Sequence, residues 1–304
     1  MELWIGITFA AAFLQNMRSM LQKYLKGRMG TLGSTFTRFG FGLPFAALYF
    51  GILAAGFERP VPAANGEFAI WAAIGAAGQI AATFLLVYLF SFRNFAVGTA
   101  YSRTEPAQAA ILAFLFFGAT ISFAAVAAIL ISIAGVILIS LSRNEVGLKR
   151  LILGLTTRTA LIGIASGTLF ALSAISYRQA SLSLAPSLPA PDSVMQAAFT
   201  LLIVIFMQTV AMTAWMLAFD RGELVKVARA WRPALVVGFV GATASFGWFT
   251  AMTLQQASIV KAVGQVEMLF TFATAVLVFK ERMTGAEVIG CVLVVCGVLT
   301  LLLA

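Results

Sequence analysis

Four charged side chains lie inside strongly apolar stretches of this sequence, where a charge is costly to bury. Arg103 and Glu105 lie in the stretch TAYSRTEPAQAAIL, and Lys261 and Glu267 lie in KAVGQVEMLF. Charged residues within membrane segments usually face the protein interior or a water-filled cavity, and they mark solute and proton pathways. These four residues are therefore candidates for binding a charged solute or for carrying a proton.

Polar side chains in the first two apolar segments add to these candidates. Gln15, Arg18 and Ser19 have the spacing i, i+3, i+4, which places them in one stripe on a helix. A stripe favours the lining of a cavity over snorkelling, in which a long side chain near a helix end reaches the membrane surface. Arg38 lies near the end of its segment, so both snorkelling and solute contact stay open for it. The remaining candidates are polar residues of later segments: Gln79, Tyr101, Gln108, Ser173, Tyr177 and Thr271.

The positions of the charges along their helices lead to three expectations. On an ideal helix Arg103 points about 160° away from Glu105. Pro106 cannot donate to the carbonyl of Ser102 and disturbs the preceding turn, which would let Arg103 turn towards a cavity. Glu105 lies too deep for its short side chain to reach the surface. Lys261 is longer, and we expect it to snorkel to the outer surface.

The composition identifies an integral membrane protein. Of the 304 residues 61% are hydrophobic and 10% are charged, and the mean hydropathy is +0.99, whereas soluble domains carry about 25% charged residues. The formal charge of +9 would suggest nucleic acid as the partner of a soluble protein. Here the basic residues fit the loops of a membrane protein. We therefore expect the lipid bilayer, and no nucleic acid, as a partner.

Several chemistries are excluded by what the sequence lacks. It contains no histidine, which removes His-containing triads, HExxH zinc sites and histidine proton relays. Its two cysteines, Cys291 and Cys296, are five residues apart and form no metal-binding spacing. No GxxxxGK[ST] loop is present for ATP-driven pumping. We expect neither an enzyme nor a cofactor or metal.

Ten apolar segments predict ten transmembrane helices, since a membrane-spanning helix needs about 20 apolar residues. The first is too long for a signal-peptide core and has no preceding basic region, so we expect it to be the first membrane helix. The segments cover residues 3–24, 32–56, 68–91, 96–117, 121–141, 157–181, 194–219, 233–253, 257–279 and 285–303.

The basic residues predict an orientation in the membrane. Fourteen of the twenty lysines and arginines lie in or beside the loops after segments one, three, five, seven and nine. Lysine and arginine concentrate in cytoplasmic loops. The charge pattern therefore predicts that these loops are cytoplasmic and that both termini face outward, in what we expect to be a bacterial inner membrane.

An internal repeat divides the chain. A shift of 162 residues places Glu105 on Glu267 and Gly135–Val136 on Gly297–Val298, and a shift of 157 aligns the first helices of the two halves. We expect one membrane domain, 1–304, with repeat one at 1–142, a cytoplasmic linker at 143–156 and repeat two at 157–304. Because each repeat has five helices, an odd number, the second copy is inverted, an architecture that recurs in secondary transporters.

The stretch FKERMTGAEVIGCVLVVCGVL carries a family resemblance. It resembles the turn and glycine-bearing last helix of EamA-type ten-helix permeases of the drug/metabolite transporter superfamily. The first copy, FFGATISFAAVAAILISIAGVIL, has Ala119 where the second has Glu281. The resemblance implies an all-α membrane fold of two inverted five-helix repeats, and transport. Members of that family mostly keep both termini in the cytoplasm, opposite to the charge pattern, which we follow.

These observations predict a secondary transporter that works by alternating access. Arginine suits carboxylates and phosphates, while Glu105 and Glu267 could bind an amino group, so an amino acid or another zwitterionic or anionic metabolite is the first candidate. Either carboxylate could instead carry a proton. The alternatives are a polyspecific drug/proton antiporter, a non-transporting membrane structural protein and an intramembrane enzyme. Small residues in segments five and ten fit close helix packing or a dimer face, so the protein is expected to be a monomer or homodimer.

Overall fold

The computed structural model describes residues 2–89, 91, 102–120, 122–142, 158–270, 273 and 284–303. These residues form helices joined by short connections, with no strand among them. The α-helices are α1 (Leu3–Lys26), α2 (Thr31–Gly40), α3 (Leu43–Gly51), α4 (Gly66–Leu89), α5 (Glu105–Phe117), α6 (Phe123–Ser142), α7 (Arg158–Ser183), α8 (Ser193–Phe219), α9 (Arg221–Arg229), α10 (Trp231–Leu254), α11 (Ala257–Val263) and α12 (Gly285–Leu303).

Five helical runs of the described chain are long and apolar enough to cross a membrane. They are Thr31–Gly56, which joins α2 and α3 to a π-helical turn, then α4, Arg158–Ser187, α8 and α10. Shorter apolar helices lie at Glu105–Phe117, Phe123–Leu138 and Val288–Thr300. The protein is therefore an all-helical integral membrane protein. The number of ten spans stays a prediction, because α1 is not among these runs and parts of the fourth and ninth segments lie outside the described residues.

The helices of the two halves of the chain interleave. Helix α1 packs along α10, α4 along α7, α5 against α11, and α6 against α12. In the repeat, α1 corresponds to α7 and α4 corresponds to α10. The α1–α10 pair is therefore the counterpart of the α7–α4 pair, as expected for two related halves. A large cluster of buried apolar residues lies between these pairs, and many of its members are alanines, which let the helices approach closely.

Helices α6 and α12 lie at the periphery and pack on each other through small residues. A Cβ atom on Gly297 would lie 2.1 Å from Ser132 Oγ, and one on Gly135 would lie 2.6 Å from the Gly290 carbonyl oxygen. The opposite faces of these helices expose large apolar side chains, among them Phe123 at 88%. The small residues thus serve packing within the chain, and the apolar faces suit contact with lipid.

We expect Gly297→Leu to destabilise the fold, because the added side chain meets the backbone of α6. Overpacking of this kind costs about 1–3 kcal/mol of unfolding free energy. Chemical unfolding in detergent measures it. The matched control is Gly51→Leu, since a Cβ atom at Gly51 has no neighbour within 4 Å. Equal stability of the two variants would contradict the close α6–α12 contact.

Candidate functional site

A polar cavity of about 50 Å³ lies between the two halves of the chain. That volume holds a few water molecules. Eleven of the fourteen candidates from the sequence line it: Gln15, Arg18, Ser19, Arg38, Gln79, Arg103, Glu105, Ser173, Tyr177, Lys261 and Glu267. The rest of its wall comes from Leu86, Ser102, Phe170, Ala174, Ser245, Trp248, Phe249 and Met252. The deep charged residues of distant segments therefore converge on one place.

Three candidates are not among the residues that line the cavity. Gln108 donates from Nε2 to Thr104 Oγ1 at 2.6 Å and packs against Gly167 of α7. Its amide nitrogen is thus used within the first turn of α5, whereas its amide oxygen is buried without a hydrogen-bond partner. Tyr101 and Thr271 lie outside the described residues.

The carboxylate of Glu267 is held by two side chains of the first half. Arg103 donates from Nη1 to Oε2 at 2.8 Å and from Nη2 to Oε1 at 3.1 Å, and Gln15 Nε2 donates to Oε2 at 2.8 Å. Glu267 is 2% exposed. A two-pronged arginine–carboxylate pair is among the stronger and more specific polar contacts in proteins.

Breaks in two helices make this pair geometrically possible. Helix α5 begins at Glu105, so Arg103 lies in the turn before it and not on a continuous helix. Pro106 occupies the first turn of α5, where its missing N–H leaves no bond unmade. The ideal-helix geometry that pointed Arg103 away from Glu105 therefore does not apply, and Arg103 reaches the cavity.

The second half has a matching break. Helix α11 ends at Val263, a 3₁₀ turn covers Gly264–Val266, and helix resumes at Glu267. Gln265 in this turn donates from Nε2 to the Arg103 carbonyl oxygen at 3.2 Å. Each of the two related glutamates thus directly follows an interruption, and the two interruptions touch.

Glu105 pairs with a base from the second half. Lys261 Nζ lies 2.9 Å from Glu105 Oε1, and it also lies 4.6 Å from the ring centre of Trp248. The expectation that Lys261 reaches the outer surface is wrong, because a carboxylate and an aromatic face stabilise its ammonium group inside the protein. Each cavity glutamate is therefore neutralised by a cation from the opposite half.

Arg18 and Arg38 line the same cavity without forming such an ion pair in the described part of the chain. They are 3% and 4% exposed. Arg38 donates to Thr83 Oγ1 at 3.1 Å and to Ser245 Oγ at 3.4 Å, while Arg18 Nε and Nη1 are buried without a hydrogen-bond partner. The snorkelling alternative for Arg38 is wrong, because its side chain turns into the cavity.

Residues of α10 and α8 that are not among the candidates from the sequence also lie in or beside the cavity. Gly241, Ser245 and Trp248 have the spacing i, i+4, i+7, so one face of α10 meets the cavity region, a stripe that the sequence could have revealed. Gln208 of α8 is fully buried and donates to Gln79 Oε1 at 2.9 Å. The hydroxyl group of Tyr177 donates to the Gly75 carbonyl oxygen at 2.7 Å, which fixes one wall.

A buried carboxylate joins the two halves of the chain at one end of the helix bundle. Glu223 of α9 is 5% exposed and accepts a 2.7 Å hydrogen bond from the backbone N–H of Gly30, at the start of α2. Lys226 donates to Glu223 at 2.7 Å. This hydrogen bond, together with the attraction between the two charges, raises the pKa of Lys226 above its ordinary value. The contact joins the connection after α1 to the one after α8.

A more exposed ion pair joins the two halves at the other end. Arg59 lies beyond the π-helical turn after α3, and its Nη1 atom is 2.9 Å from Asp192 Oδ2 at the start of α8. Their side chains are 36% and 26% exposed. The run Thr31–Gly56 separates this contact from the Glu223–Gly30 contact. Each end is thus held by a contact between the two halves.

Comparisons with known proteins identify the family. A model described as EamA-like transporter family matches residues 2–141 and again residues 157–303. Among solved structures 28 chains match, and one, described as a crystal structure of a protein, aligns over 99% of this chain and 96% of its own with a TM-score of 0.72 at 16% identity. That likeness shows a shared fold, and no curated protein matches the sequence. The match of both halves confirms the resemblance, and this chain belongs to the EamA-like transporter family.

Proposed function

We propose that this protein is a secondary transporter that moves a small organic solute through the cavity between its halves. The observation that carries the proposal is the convergence of buried charged and polar side chains from both halves on one cavity. The solute carries a carboxylate or phosphate group, because arginine donors match the geometry of such groups. The first candidates from the sequence, an amino acid or another zwitterionic or anionic metabolite, all carry such a group.

The arrangement of the halves supports alternating access as the mechanism. In transporters with inverted repeats, rocking of one repeat against the other exposes the central site to each side in turn. The cavity of about 50 Å³ is smaller than the roughly 300–1,000 Å³ of ordinary ligand sites. Loading therefore requires the halves to move apart, and the contacts of Glu223 and Arg59 hold the two ends closed. By the charge pattern, the Glu223 end is cytoplasmic.

A polyspecific drug/proton antiporter is the second candidate, and it fits less well. Cationic solutes and protons both need an available carboxylate. Glu105 and Glu267 are each engaged by a cation of the opposite half, at 2.9 Å and 2.8 Å. The deep charge of α1 is Arg18, which repels cations.

Transport in liposomes tests the proposal. The purified protein is reconstituted, and uptake of amino acids, organic acids, organic phosphates and cationic dyes is measured with and without a proton gradient. We expect flux of a solute with a carboxylate or phosphate group. If the folded protein transports no member of any of these classes, the transporter proposal is wrong. A structural role or an intramembrane enzyme would then remain as the alternatives.

We expect Glu105→Gln to reduce transport about tenfold or more, because it leaves Lys261 without its countercharge inside the protein. The initial uptake rate in liposomes measures this. Glu67→Gln makes the same change at an exposed position at the start of α4 and is the control. If the Glu105 variant transports like the control, with an unchanged pH profile, Glu105 has no role in transport.

A further inference from the structure

The charges that line the cavity do not balance. Arg18, Arg38, Arg103 and Lys261 contribute four positive charges, and Glu105 and Glu267 contribute two negative ones. Arg103 is taken by Glu267, and Lys261 by Glu105. The remaining charge of about +2 resides on the guanidinium groups of Arg18 and Arg38.

These two arginines lie side by side on a glycine of α10. A Cβ atom on Gly241 would lie 3.3 Å from Arg18 Cδ and 3.5 Å from Arg38 Cγ. The absence of a side chain at Gly241 therefore makes room for both arginine stems. Two like charges are brought together in a buried place, and Arg18 still has two donor atoms, Nε and Nη1, without a partner.

Such an arrangement is costly unless a ligand completes it. A buried charge without a partner loses its hydration and gains nothing in return. Guanidinium groups bind oxyanions through two parallel hydrogen bonds, and two guanidinium groups can share one oxyanion or hold two. The two arginines are thus preorganised to bind an anion, and their combined charge of about +2 determines the charge of the anion that they can neutralise.

We propose that the transported solute is a dianion, with either one phosphate-type group or two carboxylates, and that Arg18 and Arg38 bind its charges. This inference rests on the proposed function and narrows it. A zwitterion needs a carboxylate for its amino group, and both cavity glutamates are already engaged. A dianion neutralises the surplus of about two charges, and a small oxyanion fits a space that holds a few water molecules.

Sulfate serves as the probe, because it presents two charges without an organic part. Thermal unfolding of the full-length protein in detergent is followed in sulfate and in chloride at equal ionic strength. Sulfate stabilises proteins in general by exclusion from their surface, so the readout is the difference between wild type and variants. We expect sulfate to raise the melting temperature of wild type more than that of Arg18→Gln or Arg38→Gln.

Matched variants sharpen the comparison. Arg221→Gln is the control, because Arg221 is exposed and donates to the Leu217 carbonyl oxygen. It should respond to sulfate as wild type does, and Arg18→Lys should retain part of the response. If Arg38→Gln does not fold, Arg18→Gln decides alone, because Arg18 Nε and Nη1 hold no protein group. An equal sulfate response in wild type and Arg18→Gln would overturn the proposal.

Flux measurements separate this inference from the proposed function. In liposomes, succinate is compared with butyrate, glycerol phosphate with glycerol, and alanine serves as the zwitterion. We expect a dianion to be taken up with a half-saturating concentration at least about tenfold lower than its matched partner. A preference for succinate or for glycerol phosphate tells the dicarboxylate from the phosphate. Uptake of alanine in preference to both dianions would contradict a dianionic solute but would still support the proposal that the protein is a transporter. Specific sulfate binding without any flux would support an anion site at Arg18 and Arg38 and would contradict the proposed transport.

Discussion

Glu267→Gln is expected to be among the most destabilising single substitutions in the cavity. Glutamine keeps one acceptor oxygen but removes the charge that holds Arg103 and Gln15. Removing one partner of a buried ion pair costs about 3–5 kcal/mol. Because the Arg103 side chain is 24% exposed, we expect the lower end of that range.

A double-mutant cycle measures the interaction free energy between Arg103 and Glu267. Glu267→Gln, Arg103→Gln and the double variant are unfolded chemically in detergent. The double variant should recover much of the lost stability, because neither charge is then left alone. Single variants whose effects simply add would show that Arg103 and Glu267 do not interact across the two breaks.

Glu223→Ala is expected to open one end of the cavity far more readily than Arg59→Gln opens the other. Glu223 is buried and accepts from a backbone N–H, and hydrogen bonds to charged groups contribute about 1.5–3 kcal/mol. The Arg59–Asp192 pair is partly exposed, and such pairs contribute about 0–1 kcal/mol. The ratio of open to closed protein should therefore rise at least about tenfold for Glu223→Ala and less than about fivefold for Arg59→Gln.

Labelling of a cavity cysteine measures both changes. Cys291 and Cys296 are replaced by alanine, Ser19 becomes the single cysteine, and an impermeant maleimide is applied from each side of oriented vesicles. Glu223→Ala should speed labelling from the cytoplasmic side that the charge pattern assigns to it, and Glu67→Gln is the neutral control. Faster labelling from the opposite side would reverse the predicted topology. No change in labelling from either side would show that Glu223 does not hold the cavity closed.

Much of the fold could be predicted because it depends on hydrophobicity and on repetition along the chain. Long apolar runs require a bilayer, and the coincidence of Glu105 with Glu267 under a fixed shift reveals the two halves. Deep charges must face the protein interior, since lipid cannot solvate them. All six charged residues selected in this way line the cavity: Arg18, Arg38, Arg103, Glu105, Lys261 and Glu267.

The arguments that failed were those that assumed ideal helices and isolated side chains. From the sequence, Arg103 lies on a helix that Pro106 disturbs enough to let it turn towards a cavity, and Lys261 is expected to reach the surface. In the structure, the helices are interrupted before Glu105 and before Glu267. Lys261 contacts a carboxylate and an aromatic ring inside the protein. The partner of a charge depends on helices far away in the sequence, and a periodic pattern carries no information about them.

The sequence by itself determined that this is a membrane protein of two related halves with charged residues deep in its helices. The tertiary structure alone decided which charges cancel. Arg103 meets Glu267, Lys261 meets Glu105, and Gly241 brings Arg18 next to Arg38, neither of which forms an ion pair within the described part of the chain. The physical reason is that the burial of a charge depends on the hydrophobicity of its own segment. Its neutralisation depends on the distance to an opposite charge on another segment.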